Sequence, residues 1–161
     1  MKARRWIWSF LSIVIALSLI AAVPAAKKVV FIRAGDSRDV NVGVMGVHVT
    51  NSYYTGDLTV MRKTQQPVTG TDRLKLLEKM IDARFMGYDK VKVTHIQGSW
   101  YVFYNLTQQE KKLFNDGKIA IFYYDSWPKK WKQCYTFVVT GHPNRITCRM
   151  LNFGLYGLGY R

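Results

Sequence analysis

Apolar and polar residues alternate along this chain in short runs, broken by glycine, proline and asparagine. Val40, Val42 and Val44 alternate with Asn41 and Gly43, and then Val47 and Val49 carry the apolar phase on the opposite parity. A period of two marks a half-buried strand, and a one-residue slip at Met45-Gly46 predicts a β-bulge within one long strand, Val40 to Thr50. Strands are predicted in the same way at Lys27 to Arg33, Asp57 to Arg62, Lys90 to Gln97, Trp100 to Asn105, Lys118 to Tyr124, Gln133 to Thr140 and Arg145 to Leu151. Val29 to Ile32 is an unbroken apolar run, which predicts burial on both faces. Gly98-Ser99 predicts a tight hairpin between its neighbours, and Gly141-His142-Pro143-Asn144 the turn of the last hairpin. The tail, Asn152 to Arg161, alternates Gly with Phe, Leu and Tyr and fits either a terminal strand or a loose end.

Two segments carry another period. Leu74, Leu77, Ile81 and Phe85 recur at spacings of three and four, with Leu76 and Met80 beside them. This predicts the main helix, residues 71–86, capped by Thr71 or Asp72 and ended by Gly87. Thr107-Gln108-Gln109-Glu110 is a capping box and predicts a short helix over about 107–115. The expected fold class is α+β, an antiparallel sheet with one main helix and one short one.

The first segment differs from everything after it. Lys2, Arg4 and Arg5 precede an apolar run from Ile7 to Val23, and small residues follow at Val23-Pro24-Ala25-Ala26. This is the layout of a secretory signal peptide cut after Ala25. The run is longer than the usual h-region of about 7–15 residues and close to the roughly 20 of a spanning helix, so a retained N-terminal anchor is the alternative. Either way residues 26–161 are expected to form a single exported domain, secreted or periplasmic.

Charge narrows the partners. Without Lys2, Arg4 and Arg5, the formal +14 of the whole chain becomes +11. That imbalance favours an anionic partner: nucleic acid, acidic lipid or a wall polymer. Cys134 and Cys148 read as one disulfide in an oxidising compartment, worth about 3 kcal/mol for a loop of about 15 residues. A simple hairpin would set Cys148 opposite Phe137, so the bridge requires a bulge or a Cys134 that lies just before its strand. No Cys-x-x-Cys is present.

Trp127 to Lys132 is the strongest surface candidate. Trp127 and Trp131 flank Lys129 and Lys130, and Lys132 follows. Flat indoles beside ammonium groups suit stacked bases with phosphates, a lipid interface or sugar rings. Lys111 and Lys112 are expected to extend this patch. Catalysis has less support. His48, His95 and His142 are isolated, no metal-ligand spacing or nucleophile elbow occurs, and Asp36 and Asp39 read as turn residues. Asn105-Leu106-Thr107 matches the N-glycosylation pattern.

The expected function is an exported, non-enzymatic binding or assembly module without cofactor. A secreted nuclease- or glycosidase-like hydrolase is the alternative, and its discriminating feature would be a histidine beside a carboxylate in a cleft. A membrane-anchored subunit of an envelope complex is the third reading.

Overall fold

The computed structural model describes residues 26–67 and 74–161. The leader or anchor expected at residues 1–25 lies outside them, as do the helix caps at Thr71 and Asp72. Among the described residues no helix is long and apolar enough to cross a membrane.

Two antiparallel sheets share one core. The strands are β1 Lys27–Ile32, β2 Arg38–Val42, β3 Met45–Thr50, β4 Gly56–Lys63, β5 Leu76–Gly87, β6 Lys92–Val93 and β7 Ser99–Asn105. After the helix α1, Gln108–Asn115, come β8 Ile119–Asp125, β9 Lys130–Gln133, β10 Thr136–Val139, β11 His142–Arg149 and β12 Gly154–Tyr160. The seven-stranded sheet runs β1-β4-β5-β12-β8-β9, with β6 also on β5, and the five-stranded sheet runs β10-β11-β7-β3-β2. Leu58, Val60, Ile81, Ala83, Phe85, Ile121, Tyr156 and Leu158 face Val40, Val47, Val49, Trp100, Val102, Ile146 and Cys148 in one apolar cluster. Phe85 of one sheet meets Trp100 of the other edge to face at 5.5 Å, and Phe153 packs on both.

The fold is mainly β, and the expected main helix over residues 71–86 is corrected to strand β5. Leu77, Ile81 and Phe85 stand four apart, and four is an even number. The same spacing fills one face of a strand as well as one face of a helix. Ala83, which completes the strand face between Ile81 and Phe85, is buried with them. Leu76 and Met80 turn to the other face, where they close over Gly157 and Gly159. A residue with a left-handed backbone, Glu78 (φ 55°), accompanies the irregular pairing there.

Three other expectations change. The parity switch after Val44 is a hairpin turn at Gly43-Val44, not a bulge: Gly43 takes φ 65° and Val42 pairs with Met45. Lys90–Gln97 and Trp100–Asn105 do not form a hairpin; β6 joins β5 while β7 joins β3 and β11. Val29 and Phe31 are 53% and 44% exposed, because β1 is an edge strand with one wet face.

The capping box is present as expected. Thr107 accepts from the Glu110 backbone N–H, and Glu110 accepts from the Thr107 N–H at 2.8 Å and from Lys79 at 2.6 Å. Cys134 and Cys148 are bridged, with Cα atoms 6.0 Å apart. Both geometric conditions are met: Cys134 precedes β10, and Cys148 pairs with Thr136 across a ladder that shifts register at Val138/Val139. The tail is β12, seated between β5 and β8.

Since Leu158 is fully buried at the centre of a sheet, Leu158→Ala should cost about 3 kcal/mol of unfolding free energy in urea titration. Leu151→Ala, more than half exposed, should stay within about 0.5 kcal/mol. Equal effects would show that the tail is not a core strand.

Candidate functional site

Strand alternation sends every second residue of the five-stranded sheet into the core and the rest to its outer face. The registers set these outer residues in transverse rows. Asp39 of β2 pairs with His48 of β3, His48 with Tyr101 of β7, and Tyr101 with Arg149 of β11. One row thus carries a carboxylate, an imidazole, a phenol and a guanidinium. The next row holds Gly46, Phe103 and Thr147. Gly46 is required here: a Cβ would meet the Val40 carbonyl oxygen at 2.5 Å and the Phe103 ring at 2.8 Å. Its absence lets Phe103 lie flat across β3.

Arg145 lies over that ring, its guanidinium carbon 4.2 Å from the centroid. Its Nε donates to Asn105 Oδ1 at 3.2 Å and its Nη1 to Asp39 Oδ2 at 2.8 Å. The sheet is curled enough for a β11 side chain to reach β2 across two intervening strands. The other Asp39 oxygen, Oδ1, is 2.6 Å from His48 Nδ1. An ionised carboxylate only accepts, so Nδ1 carries the proton and Nε2 carries the lone pair. Partial burial pushes the Asp39 carboxyl up, but hydrogen bonds from His48 and Arg145 outweigh it and hold the group below the usual range.

These residues line a concavity of about 310 Å³ with Thr50, Phe137, Val139 and His142. Rings run across it in steps of about one ring width: His48 to Tyr101 at 6.3 Å, Tyr101 to Phe137 at 6.3 Å, Phe137 to Tyr135 at 6.0 Å. Among the described residues no three His, Cys, Asp or Glu side chains stand close enough to hold a metal ion.

No protein-family model, curated protein or solved structure matches this chain. The chemistry of the site therefore rests on its own geometry.

The Trp127–Lys132 stretch is elsewhere, at the edge of the seven-stranded sheet. Trp127 is 85% exposed, and Lys129 and Lys130 are exposed beside it. Trp131 is half-buried against Tyr124, ring centroids 5.5 Å apart. Lys132 is paired with Asp125 at 2.6 Å, so its charge is partly spent within the protein. A second concavity of about 320 Å³ adjoins this turn, lined by Tyr123, Tyr124, Asp125, His95 and Asn152 among others. His95 is exposed there, its Nδ1 3.0 Å from Asn152 Oδ1. Lys111 and Lys112 do not join the turn. Helix α1 leads into the start of β8, whereas the turn leaves its end, a strand of seven residues or about 23 Å away. Lys111 instead reaches Asn144 Oδ1, beside the five-stranded sheet, at 3.2 Å.

Asp39 and His48 were legible only through their partner strand. With Gly43-Val44 read as a hairpin turn, simple counting sets Asp39 opposite His48. Read as one bulged strand, the same residues stand nine positions apart in sequence.

The folded pKa of Asp39 lies below its ordinary value, so the stabilisation it gives is complete above the unfolded pKa and lost as pH falls through the folded one. The unfolding free-energy gap between wild type and Asp39→Asn should hold steady above about pH 5 and close toward about pH 2 in urea titrations. A gap that does not change with pH would show that Asp39 is not an ionised partner.

Proposed function

We propose that this chain is an exported module that holds an anionic, ring-bearing polymer across the outer face of its five-stranded sheet. Single-stranded nucleic acid is the form the geometry favours. The observation that carries the reading is the ladder of His48, Tyr101, Phe137 and Tyr135 rings flanked by Arg145 and Arg149 on one uncovered face. Aromatic rings on a sheet stack unpaired bases, and adjacent guanidinium groups meet the phosphates between them. The excess positive charge of residues 26–161 favours the same class of ligand.

Other anionic partners fit less well. A bilayer is flat on this scale, and the face is concave with its rings lying inside it. A phosphate-linked wall polymer without rings would engage the guanidinium groups and leave the aromatic ladder idle. Export is supported by the signal-like first segment and is compatible with the Cys134–Cys148 bridge. The exposed Trp127, Lys129 and Lys130 offer a separate contact on the other sheet.

Binding of labelled single-stranded DNA, an acidic polysaccharide and anionic vesicles should be compared by fluorescence anisotropy and co-sedimentation. The single strand should bind tightest. Tyr101→Ala should weaken it about tenfold, since one stacked base is worth about 1–3 kcal/mol. Arg149→Gln should lower the salt slope by about 0.7, the share of one phosphate contact. If Lys129, Lys130 and Lys132 changed together to Gln abolish binding while Tyr101→Ala does nothing, the contact surface is the turn and not the sheet.

A further inference from the structure

Holding an anionic strand does not require a histidine with a fixed tautomer. It is opposed by a carboxylate in the middle of the contact face. Yet Asp39 stands there, bonded to His48 on one side and Arg145 on the other. Part of its role is to anchor Arg145. The other part is chemical: it takes the proton-bearing nitrogen of His48 and leaves Nε2 as a base directed away from the pair. His48 is 42% exposed at the concavity, and among the described residues its one side-chain partner is Asp39. No protein hydroxyl or thiol is hydrogen-bonded to it, so a nucleophile activated here comes with the ligand.

We infer that the face cleaves RNA, with His48 as general base; this rests on the sheet-face reading above. His48 Nε2 takes the proton of a ribose 2′-hydroxyl. That oxygen attacks the adjacent phosphorus, forming a new P–O bond. The bond from phosphorus to the 5′ oxygen of the next nucleotide breaks, and its electron pair leaves with that oxygen. The departing oxygen takes a proton from the imidazolium of His142, the second imidazole lining the same concavity. The products are a cyclic phosphate end and a free 5′-hydroxyl, and the proton gained by His48 returns to water. Neither oxidant nor metal enters the balance. Arg149, in the same row as His48 across Tyr101, supplies positive charge near the phosphate. Asp39 is a positioning residue, since it acts through His48.

The test uses an end-labelled RNA oligomer and its all-2′-deoxy counterpart, with the wild-type chain and variants purified identically. The RNA should be cut to fragments ending in cyclic phosphate, and the deoxy strand should bind and stay intact. His48→Ala should lower the cleavage rate at least about 100-fold while deoxy-strand affinity and thermal unfolding stay within threefold and a few degrees of wild type. Cleavage should fall on the acid side as His48 gains a proton. Asp39→Asn should move that limb of the pH profile, whereas a purely structural role would lower the rate at every pH alike. The groups facing His48 in this profile are Asp39, Tyr101, Arg145, Arg149 and His142. Undiminished cleavage by His48→Ala, or equal cutting of the deoxy strand, overturns the inference. Binding without cleavage also overturns it and leaves the sheet-face reading standing. Failure of the wild-type chain to bind the deoxy strand overturns both.

Discussion

Burial of one face from each sheet in a common core is the constraint on which the rest depends. It is worth roughly 25 cal/mol for each Å² of apolar surface removed from water, and it fixes the parity of every strand. Once Ile146 and Cys148 point inward, Arg145, Thr147 and Arg149 have no choice but to point out. The same holds for Val47 and Val49 against His48, and for Val102 against Tyr101 and Phe103. The cystine reinforces this on β11, because a one-residue slip would carry Cys148 to the wrong face. The chemistry of the outer face is thus a by-product of packing the inner one.

The outer face also has its own local packing. Phe103 points away from the core and is still almost fully buried, beneath Arg145 and across Gly46. A guanidinium over a ring, with two further partners in Asn105 and Asp39, loses little freedom in a ligand complex because it is already fixed. The core has costs as well. Trp100 Nε1 and Tyr104 Oη are buried without hydrogen-bond partners, each a penalty of about 1–3 kcal/mol. Burial also pushes the Tyr104 phenol well above its ordinary pKa. Both rings flank the sheet interface, where shape is being satisfied ahead of polarity.

Local signals in the chain were read correctly wherever the physics is local. The capping box at Thr107 works within four residues, and the bridge between Cys134 and Cys148 was derived from counting along one predicted hairpin. The failures all involve pairing at a distance. Leu77, Ile81 and Phe85 fit two periods, and it is contact with β4 and β12 that decides for a strand. The glycine-rich tail was undecided because glycine has little preference of its own. Gly157 and Gly159 are explained only by Leu76 and Met80 lying across them. The candidate site suffered in the same way: the dyad of Asp39 and His48 exists only once the hairpin between them is closed. The fold class was half legible, the sheet correctly and the main helix not. The site was legible in its chemistry, basic and aromatic, but assigned to another surface.

The two basic, aromatic surfaces differ in what they can contribute. Lys129 and Lys130 stand on a turn with freely rotating ammonium groups, and Lys132 is already paired with Asp125. Such charges act at long range, where they raise the rate of encounter with any polyanion and are screened by salt. The sheet face acts at short range. Its rings and guanidinium groups are held in rows by backbone hydrogen bonds on both sides, so their spacing is set before a ligand arrives. Preorganisation of that kind is what converts contact into discrimination, since a ligand that does not match the spacing gains nothing from it. A rigid carboxylate among those rows excludes some anions by repulsion and turns one imidazole nitrogen toward those that remain. Selectivity and reactivity on this face therefore arise from the same aspartate, and the turn has no equivalent of it.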